Sequence, residues 1–260
     1  MSSDVRPMAN YHSDTYGDRL AADYDAVFAS FDATDDQLHY LTALADGGRV
    51  LEIGVGTGRV AIPLAALGVP VVGVDSSLAM LQHLSAAADR LPITGIHGDI
   101  RDVDLTHVSP VSLVYAVFNT FFMLPGAVAQ GTCLTRLHNL LVPSGSLVVE
   151  VFVPHPERFV NDQQIHVKTL DADQVFLQVS RHYAREQRVD SQDIRLRNGA
   201  PVELFPTQVH YLWPDQLDAL AATCGFELEA RHADWSGAPF TAESRNHVSV
   251  YRRGAQTDPA

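Results

Sequence analysis

The 260-residue chain has very little of several things. It holds two cysteines, Cys133 and Cys224, each in an apolar helical pattern with no second Cys or Cys/His cluster nearby, which excludes a disulfide framework and a zinc site as organising features. A reducing cytoplasm is the matching expectation. Lysine occurs once, at Lys168, and the 18 basic residues stand against 31 acidic ones, a net charge of −13 that lacks the electrostatic footprint of a nucleic-acid or anionic-membrane coat. Long apolar runs are also missing. The stretch between Asp104 and Arg136 carries no formal charge, yet its apolar centre Ser112 to Leu124 is broken by Asn119 and Thr120 and followed by Pro125-Gly126. That is short of the ~20 consecutive apolar residues of a membrane span. Met1 to Ser13 is polar, without the apolar centre of a secretory signal.

What is present is 46% apolar residues arranged in alternating strand and helix patterns. Residues 1–15 read as a flexible N-terminus and 254–260 as a flexible tail, with one domain between them over 16–253. Leu20, Tyr24, Val27, Phe28 and Phe31 recur at helical spacing over Tyr16–Phe31, and a second helix is expected over Thr34–Leu44. Strands are expected at 50–53, 71–74, 93–97, 112–118 and 146–153, with helices between them. Pro143-Ser144-Gly145 reads as the turn into the fifth. Continuous apolar strands separated by amphipathic helices call for a sheet covered on both faces. After Pro154-His155-Pro156 the helical period stops. Alternating runs around Ile165, Val167, Leu170, Val175, Leu177, Val179, Val202 and Leu204, separated by turns such as Asn198-Gly199, read as an antiparallel β insertion over about 155–212. Helix 214–224 and strands 226–232 and 247–252 then complete the sheet.

The sharpest local feature is Val50-Leu51-Glu52-Ile53-Gly54-Val55-Gly56-Thr57-Gly58, a buried strand that enters a helix through three glycines at alternate positions. Such a loop brings backbone close to a ligand and offers it free N–H groups. Asp75 ends the next strand, 23 residues beyond Glu52, where a carboxylate can accept both hydroxyl protons of an adenosine ribose. A nicotinamide dinucleotide competes for this geometry, but Arg59 stands where its fingerprint needs Gly or Ala. Glu52 suits a cationic amino group better than a diphosphate. An NAD-dependent dehydrogenase is therefore the third choice.

These residues resemble the class I S-adenosylmethionine-dependent methyltransferases of small-molecule and natural-product type, over about Tyr16 to Arg252. Val72-Gly73-Val74-Asp75-Ser76-Ser77-Leu78-Ala79-Met80-Leu81 is similar to their second strand and ribose-binding acid, and His97-Gly98-Asp99-Ile100 to their adenine-contacting segment. The resemblance implies a Rossmann-like seven-stranded α/β sheet, mostly parallel with an antiparallel final strand. It implies S-adenosyl-L-methionine as cofactor and S-adenosyl-L-homocysteine as product. Asp75 and Ser76 would lie at the ribose, Met80 near the base and Asp99 with Ile100 at the adenine. Glu52, Gly54, Gly56 and Gly58 would lie at the methionine part, beside Asn119 after strand four. The segment Tyr16 to Asp25 is similar to the family's lid helix, so Tyr16 and Tyr24 are candidates to close over the cofactor, in lid helices spanning 16–45.

The acceptor side is expected from the insertion and from Val209-His210-Tyr211-Leu212-Trp213-Pro214 and Trp235 to Phe240. This makes Phe122, His182, Tyr211 and Trp213 substrate-binding candidates and His210 the candidate base, with His166 and His182 behind it. Over 160–212 six basic residues face seven acidic ones, so no nucleic-acid face is expected there. Methyl transfer from a sulfonium needs no metal. The reading is transfer to oxygen or nitrogen of a small molecule such as a sugar or natural-product metabolite, by a chain that can form a homodimer, with a non-catalytic cofactor-binding regulator as the alternative.

Overall fold

The structure is a computed structural model that describes residues 8, 11–22, 24, 32–108 and 110–254. Strands β1 (Val50–Ile53), β2 (Val71–Asp75), β3 (Ile93–His97), β4 (Val111–Ala116), β5 (Leu141–Phe152), β10 (Phe226–His232) and β11 (Asn246–Arg253) form a seven-stranded sheet in the order β10-β11-β5-β4-β1-β2-β3. β1 to β5 pair in parallel, while β11 runs antiparallel to both β5 and β10. The chain order reverses between β1 and β4, and the crevice at such a reversal, at the carboxyl ends of the strands, is where open α/β sheets bind ligands.

The continuous apolar runs are explained by two cores, one on each face. Leu51, Ile53, Val72, Val114 and Val149 pack toward helices α5 (Gly126–Leu140) and α6 (Pro214–Thr223). Val50, Val71, Leu113, Tyr115 and Val148 pack toward α2 (Asp35–Ala45), α3 (Ala61–Ala66) and α4 (Leu78–Ala87). Alternate residues of one strand thus feed opposite cores. Side chains fix the helix starts: Thr34 Oγ1 accepts from the Gln37 N–H at 3.2 Å and Ser77 Oγ from the Met80 N–H at 3.2 Å.

Strands β6 (Gln163–Leu170), β7 (Gln174–Tyr183), β8 (Arg188–Arg197) and β9 (Glu203–His210) make a separate antiparallel sheet in chain order. It occupies the segment expected to be inserted, and it faces the first sheet across the site.

Several boundaries differ from expectation. Helix α1 covers Thr15–Leu20, and Tyr24 is helical; Val27, Phe28 and Phe31 lie outside the described residues, as do most of residues 1–15 and 255–260. Pro143-Ser144-Gly145 lies within β5, as an irregularity where the partners of Val111 and Leu113 jump from Leu141 to Ser146. β4 stops at Ala116 because Phe118 and Asn119 both take positive φ, +53° and +67°. No described helix is long and apolar enough to cross a membrane.

Candidate active site

A cavity of about 730 Å³ lies between the carboxyl ends of β1, β2 and β4, helix α1 and the inner face of β6–β9. Its floor is the β1–α3 turn. Gly54 and Gly56 have φ of +66° and +56°, in the left-handed region that glycine adopts without strain. A Cβ on Gly54 would strike Thr120 Cγ2 at 2.4 Å, so this glycine lets the turn pack under the η-turn Thr120–Met123. A Cβ on Gly56 would meet nothing within 4 Å and would point into open space.

Asp75 ends β2 beside that turn. Its Oδ2 accepts from the Gly56 N–H and its Oδ1 from the Ser77 N–H, both at 2.8 Å. Burial raises its pKa, and the two N–H groups work against that shift. Each oxygen keeps a further lone pair. Glu52 is 2% exposed; Tyr115 donates to its Oε2 at 2.9 Å and the Ala61 N–H also reaches it. Desolvation lifts this carboxyl to about 8, so its protonated form is favoured near neutral pH. Asp99 is gripped by Arg101, whose Nε and Nη2 donate at 2.8 and 2.7 Å. This hydrogen bonding holds its pKa below the ordinary range. Met80 and Ile100 complete the wall beneath the N-terminal helix.

Helix α1 is fastened over this side. Ser77 Oγ donates to Asp18 Oδ1 at 2.6 Å, Ser76 Oγ donates to the Ser13 carbonyl at 2.8 Å, and Gly17 sits where a Cβ would meet Ser77 Cβ at 2.5 Å. Tyr16 and Tyr24 line the cavity and pack beside Leu20, Phe176 and Phe205, so the helix joins the two sheets. Burial raises both hydroxyl pKa values, and Tyr24 is hydrogen-bonded to Arg59. The Arg59 guanidinium lies 5.0 Å from the Phe118 ring centroid.

Of the sequence candidates, Tyr16, Tyr24, Glu52, Gly54, Gly56, Asp75, Ser76, Met80, Asp99, Ile100 and Asn119 all fall in the cavity wall. Gly58 does not: at φ +95° a Cβ there would meet Leu84 at 2.5 Å and Ile62 at 2.9 Å, so it closes the packing of α3 on α4. Asn119 uses its Oδ1 to accept the Phe152 N–H at 2.7 Å, a structural bond.

The acceptor candidates are placed elsewhere. Phe122 is fully buried and meets Phe152 edge-on, with 5.2 Å between centroids. His182 is buried, stacked on Phe159 at 4.9 Å and bonded to the Tyr211 hydroxyl at 2.9 Å. Tyr211 is itself buried, Trp213 caps α6 against the core, and the His210 ring turns to Gln208 at 3.3 Å. Burial lowers the pKa of His182 and His210, but neither borders the cavity.

The wall facing the cofactor side is built instead by His166 and Lys168 of β6, Phe176 and Gln178 of β7, Val189, Ser191 and Asp193 of β8, and Thr207 and Val209 of β9. Tyr11, before α1, joins them. These are successive alternate positions, the period of one strand face. Their spacing was available in the sequence.

A parallel sheet with this strand order, a glycine turn over open space and a ribose-competent acid at the end of β2 define a class I S-adenosylmethionine-dependent methyltransferase, and the chain belongs to that family. Residues 50–145 match the family described as a methyltransferase domain. The structure of the CcbJ methyltransferase from Streptomyces caelestis superposes with a TM-score of 0.86 at 38% identity, covering 94% of this chain and all of that one. The cypemycin N-terminal methyltransferase of a Streptomyces species is 28% identical over 210 residues, 80% of this chain and 84% of that protein. S-adenosylmethionine-bound CalS10, an amino pentose methyltransferase from Micromonospora echinaspora, shares the fold at a TM-score of 0.65 and 21% identity, over 88% and 96% of the two chains.

The residues present fit the cofactor: the space above Gly56 is one a Cβ would fill, and Asp75 and the buried Glu52 flank it. Bound S-adenosylmethionine supplies a methyl group on a cationic sulfur. Gly56→Ala therefore tests the cradle. The left-handed backbone costs about 1–2 kcal/mol for a residue with a Cβ, and the added methyl should weaken S-adenosylhomocysteine binding beyond that loss of stability. Calorimetry beside a thermal melt separates the two effects.

Proposed function

We propose that the protein methylates an amine nitrogen of a small natural-product metabolite, with Tyr16, Tyr24, Glu52, Gly54, Gly56, Asp75, Ser76, Met80, Asp99 and Ile100 holding the cofactor. The observation that carries the nitrogen assignment is the state of Asp193. Its Oδ2 accepts from Lys168 Nζ at 2.7 Å and its Oδ1 from Gln178 Nε2 at 2.9 Å, and the residue is 4% exposed. Lys168 and Gln178 thus hold the Asp193 carboxyl group in place in the cavity wall. Of the other carboxyls in the wall, Glu52 is tied to Tyr115, Asp75 to the Gly56 and Ser77 N–H groups, and Asp99 to Arg101. A neutral amine brings its own lone pair and can lose its proton after attack, whereas an aliphatic hydroxyl must shed its proton as it attacks. The aromatic rings of Tyr16, Phe118 and Phe176 in the same cavity wall suit an amine and the positive charge it gains. One relative lends support by its name, the cypemycin N-terminal methyltransferase.

On this reading the chain's own contribution is alignment in a closed space, which can supply about 7–11 kcal/mol of a bimolecular barrier. Helix α1 and β6–β9 exclude water, and Asp193 steadies charge on the acceptor. The test is incubation with methyl-labelled S-adenosylmethionine and matched acceptors that differ only in amine against hydroxyl, with the methylated atom located by mass spectrometry. N-methyl product is expected. Exclusive O-methyl product overturns the assignment and turns attention to His166, which lines the cavity and could act as base. Asp193→Asn should lower kcat/KM for the amine about tenfold, the ~1.4 kcal/mol of one charge-assisted contact, with S-adenosylhomocysteine affinity unchanged within about twofold.

A further inference from the structure

The chain leaves β4 through two consecutive residues in the left-handed region, Phe118 at φ +53° and Asn119 at φ +67°. Asparagine enters that region readily; phenylalanine does not, and a strained residue persists only where its surroundings hold it. Phe118 lies in the cavity wall beside the Arg59 guanidinium, so the strain is located where a side chain must be aimed. What holds it is Glu150 of β5. Glu150 Oε2 accepts the Phe118 N–H at 2.9 Å and its carbonyl accepts the Asn119 N–H at 3.1 Å. Its other carboxylate oxygen, Oε1, accepts the indole N–H of Trp235 at 2.9 Å. Trp235 stands outside the cavity wall, edge-on to Tyr40 of α2 with 6.1 Å between ring centroids. The corner is closed from the other side by the Phe152 N–H on Asn119 Oδ1 and by Thr120 Oγ1 donating to the Val117 carbonyl at 2.8 Å.

We propose that Glu150 is a positioning residue of this methyltransferase: it holds the Phe118–Asn119 corner in its left-handed conformation, and Trp235 keeps its carboxylate aimed there. The segment around Trp235, which the sequence suggested as acceptor-facing, then acts on the cavity through Glu150 and not by touching the acceptor. A backbone N–H bonded to a carboxylate exchanges with solvent only when that bond opens, so the corner reports on the clamp directly.

Three full-length variants test it: Glu150→Ala, Glu150→Gln and Trp235→Phe. The readouts are amide hydrogen exchange of the segment 117–120 and the affinity for S-adenosylhomocysteine, neither of which needs the acceptor. Glu150→Ala is expected to speed exchange of that segment at least tenfold and to weaken binding at least fivefold. Glu150→Gln keeps one carbonyl oxygen to accept from Phe118 and should recover part of both, and Trp235→Phe should move both in the same direction by less. If Glu150→Ala does not fold, the ordered effects of the other two variants decide. Unchanged exchange at 117–120 overturns the proposal. So does faster exchange with unchanged affinity, and so does equal acceleration in β1 and β2, because each reduces Glu150 to a structural residue.

Discussion

Asp75→Ala is expected to weaken S-adenosylhomocysteine binding by roughly ten- to a hundredfold, from the loss of about 1.5–3 kcal/mol of charge-assisted hydrogen bonding to the ribose. The carboxyl group is aimed by the Gly56 and Ser77 N–H groups and lines the cavity, and each oxygen keeps a further lone pair. Asp75→Asn keeps an acceptor in place and should lose less. Because the alanine variant also frees the Gly56 N–H, a thermal melt must accompany the titration. 5′-Methylthioadenosine, which has the same ribose and no amino acid, should lose affinity by the same factor. Unchanged binding of both ligands would mean that Asp75 serves only the turn.

Glu52→Gln is expected to separate those two ligands. The Glu52 carboxyl has a pKa of about 8 in the folded chain against an ordinary 4.5, because burial penalises its charge more than Tyr115, Arg59 and the Ala61 N–H favour it, with Asp75 adding repulsion. The folded chain therefore keeps a proton that the unfolded chain releases. The resulting stability is full below about pH 4.5 and is lost as pH rises through about 8, at a slope of up to ~1.4 kcal/mol per pH unit. Glutamine carries no such dependence. Without ligand, the variant should match the parent near pH 5 and melt at a higher temperature near pH 8.5. It should also bind S-adenosylhomocysteine at least tenfold more weakly at that pH, since the cationic amino group loses its counter-charge, worth roughly 1.5–3 kcal/mol. Binding of 5′-methylthioadenosine should not change. A residue that stabilises the ligand at a cost to the empty fold gives these opposite signs; loss of both stability and affinity would make Glu52 a packing residue.

The cofactor half of the site was legible because its constraints are local. Three glycines in five residues, and an acid at the end of the next strand, are each set by local backbone conformation, and the structure brings nine of the ten positions assigned between β1 and β4, all but Gly58, into one wall. The seven-stranded sheet was legible for a similar reason: strands buried on both faces read as unbroken apolar runs. The half proposed to face the acceptor was not, because its sheet has apolar residues on both faces. In β6–β9 Ile165, Val167 and Leu204 point outward, at 69%, 51% and 47% exposed, while the cavity face mixes Phe176, Val189 and Val209 with His166, Lys168, Gln178, Ser191 and Asp193. A rule that sends apolar residues inward therefore does not single out the cavity face. Nearness in sequence misled in the same way at His210 and Trp213, which precede α6 and turn toward Gln208 and the core. The left-handed corner at Phe118 gave no sign at all, since phenylalanine is a poor marker of positive φ.

The most direct measurement is a crystal structure of the protein soaked with S-adenosylhomocysteine. The account predicts the ribose hydroxyls on the Asp75 carboxylate, the amino group toward Glu52, and the sulfur facing the space enclosed by Phe118, Phe176 and Asp193. A ligand bound outside this cavity, or one whose sulfur is walled off from β6–β9, would contradict it.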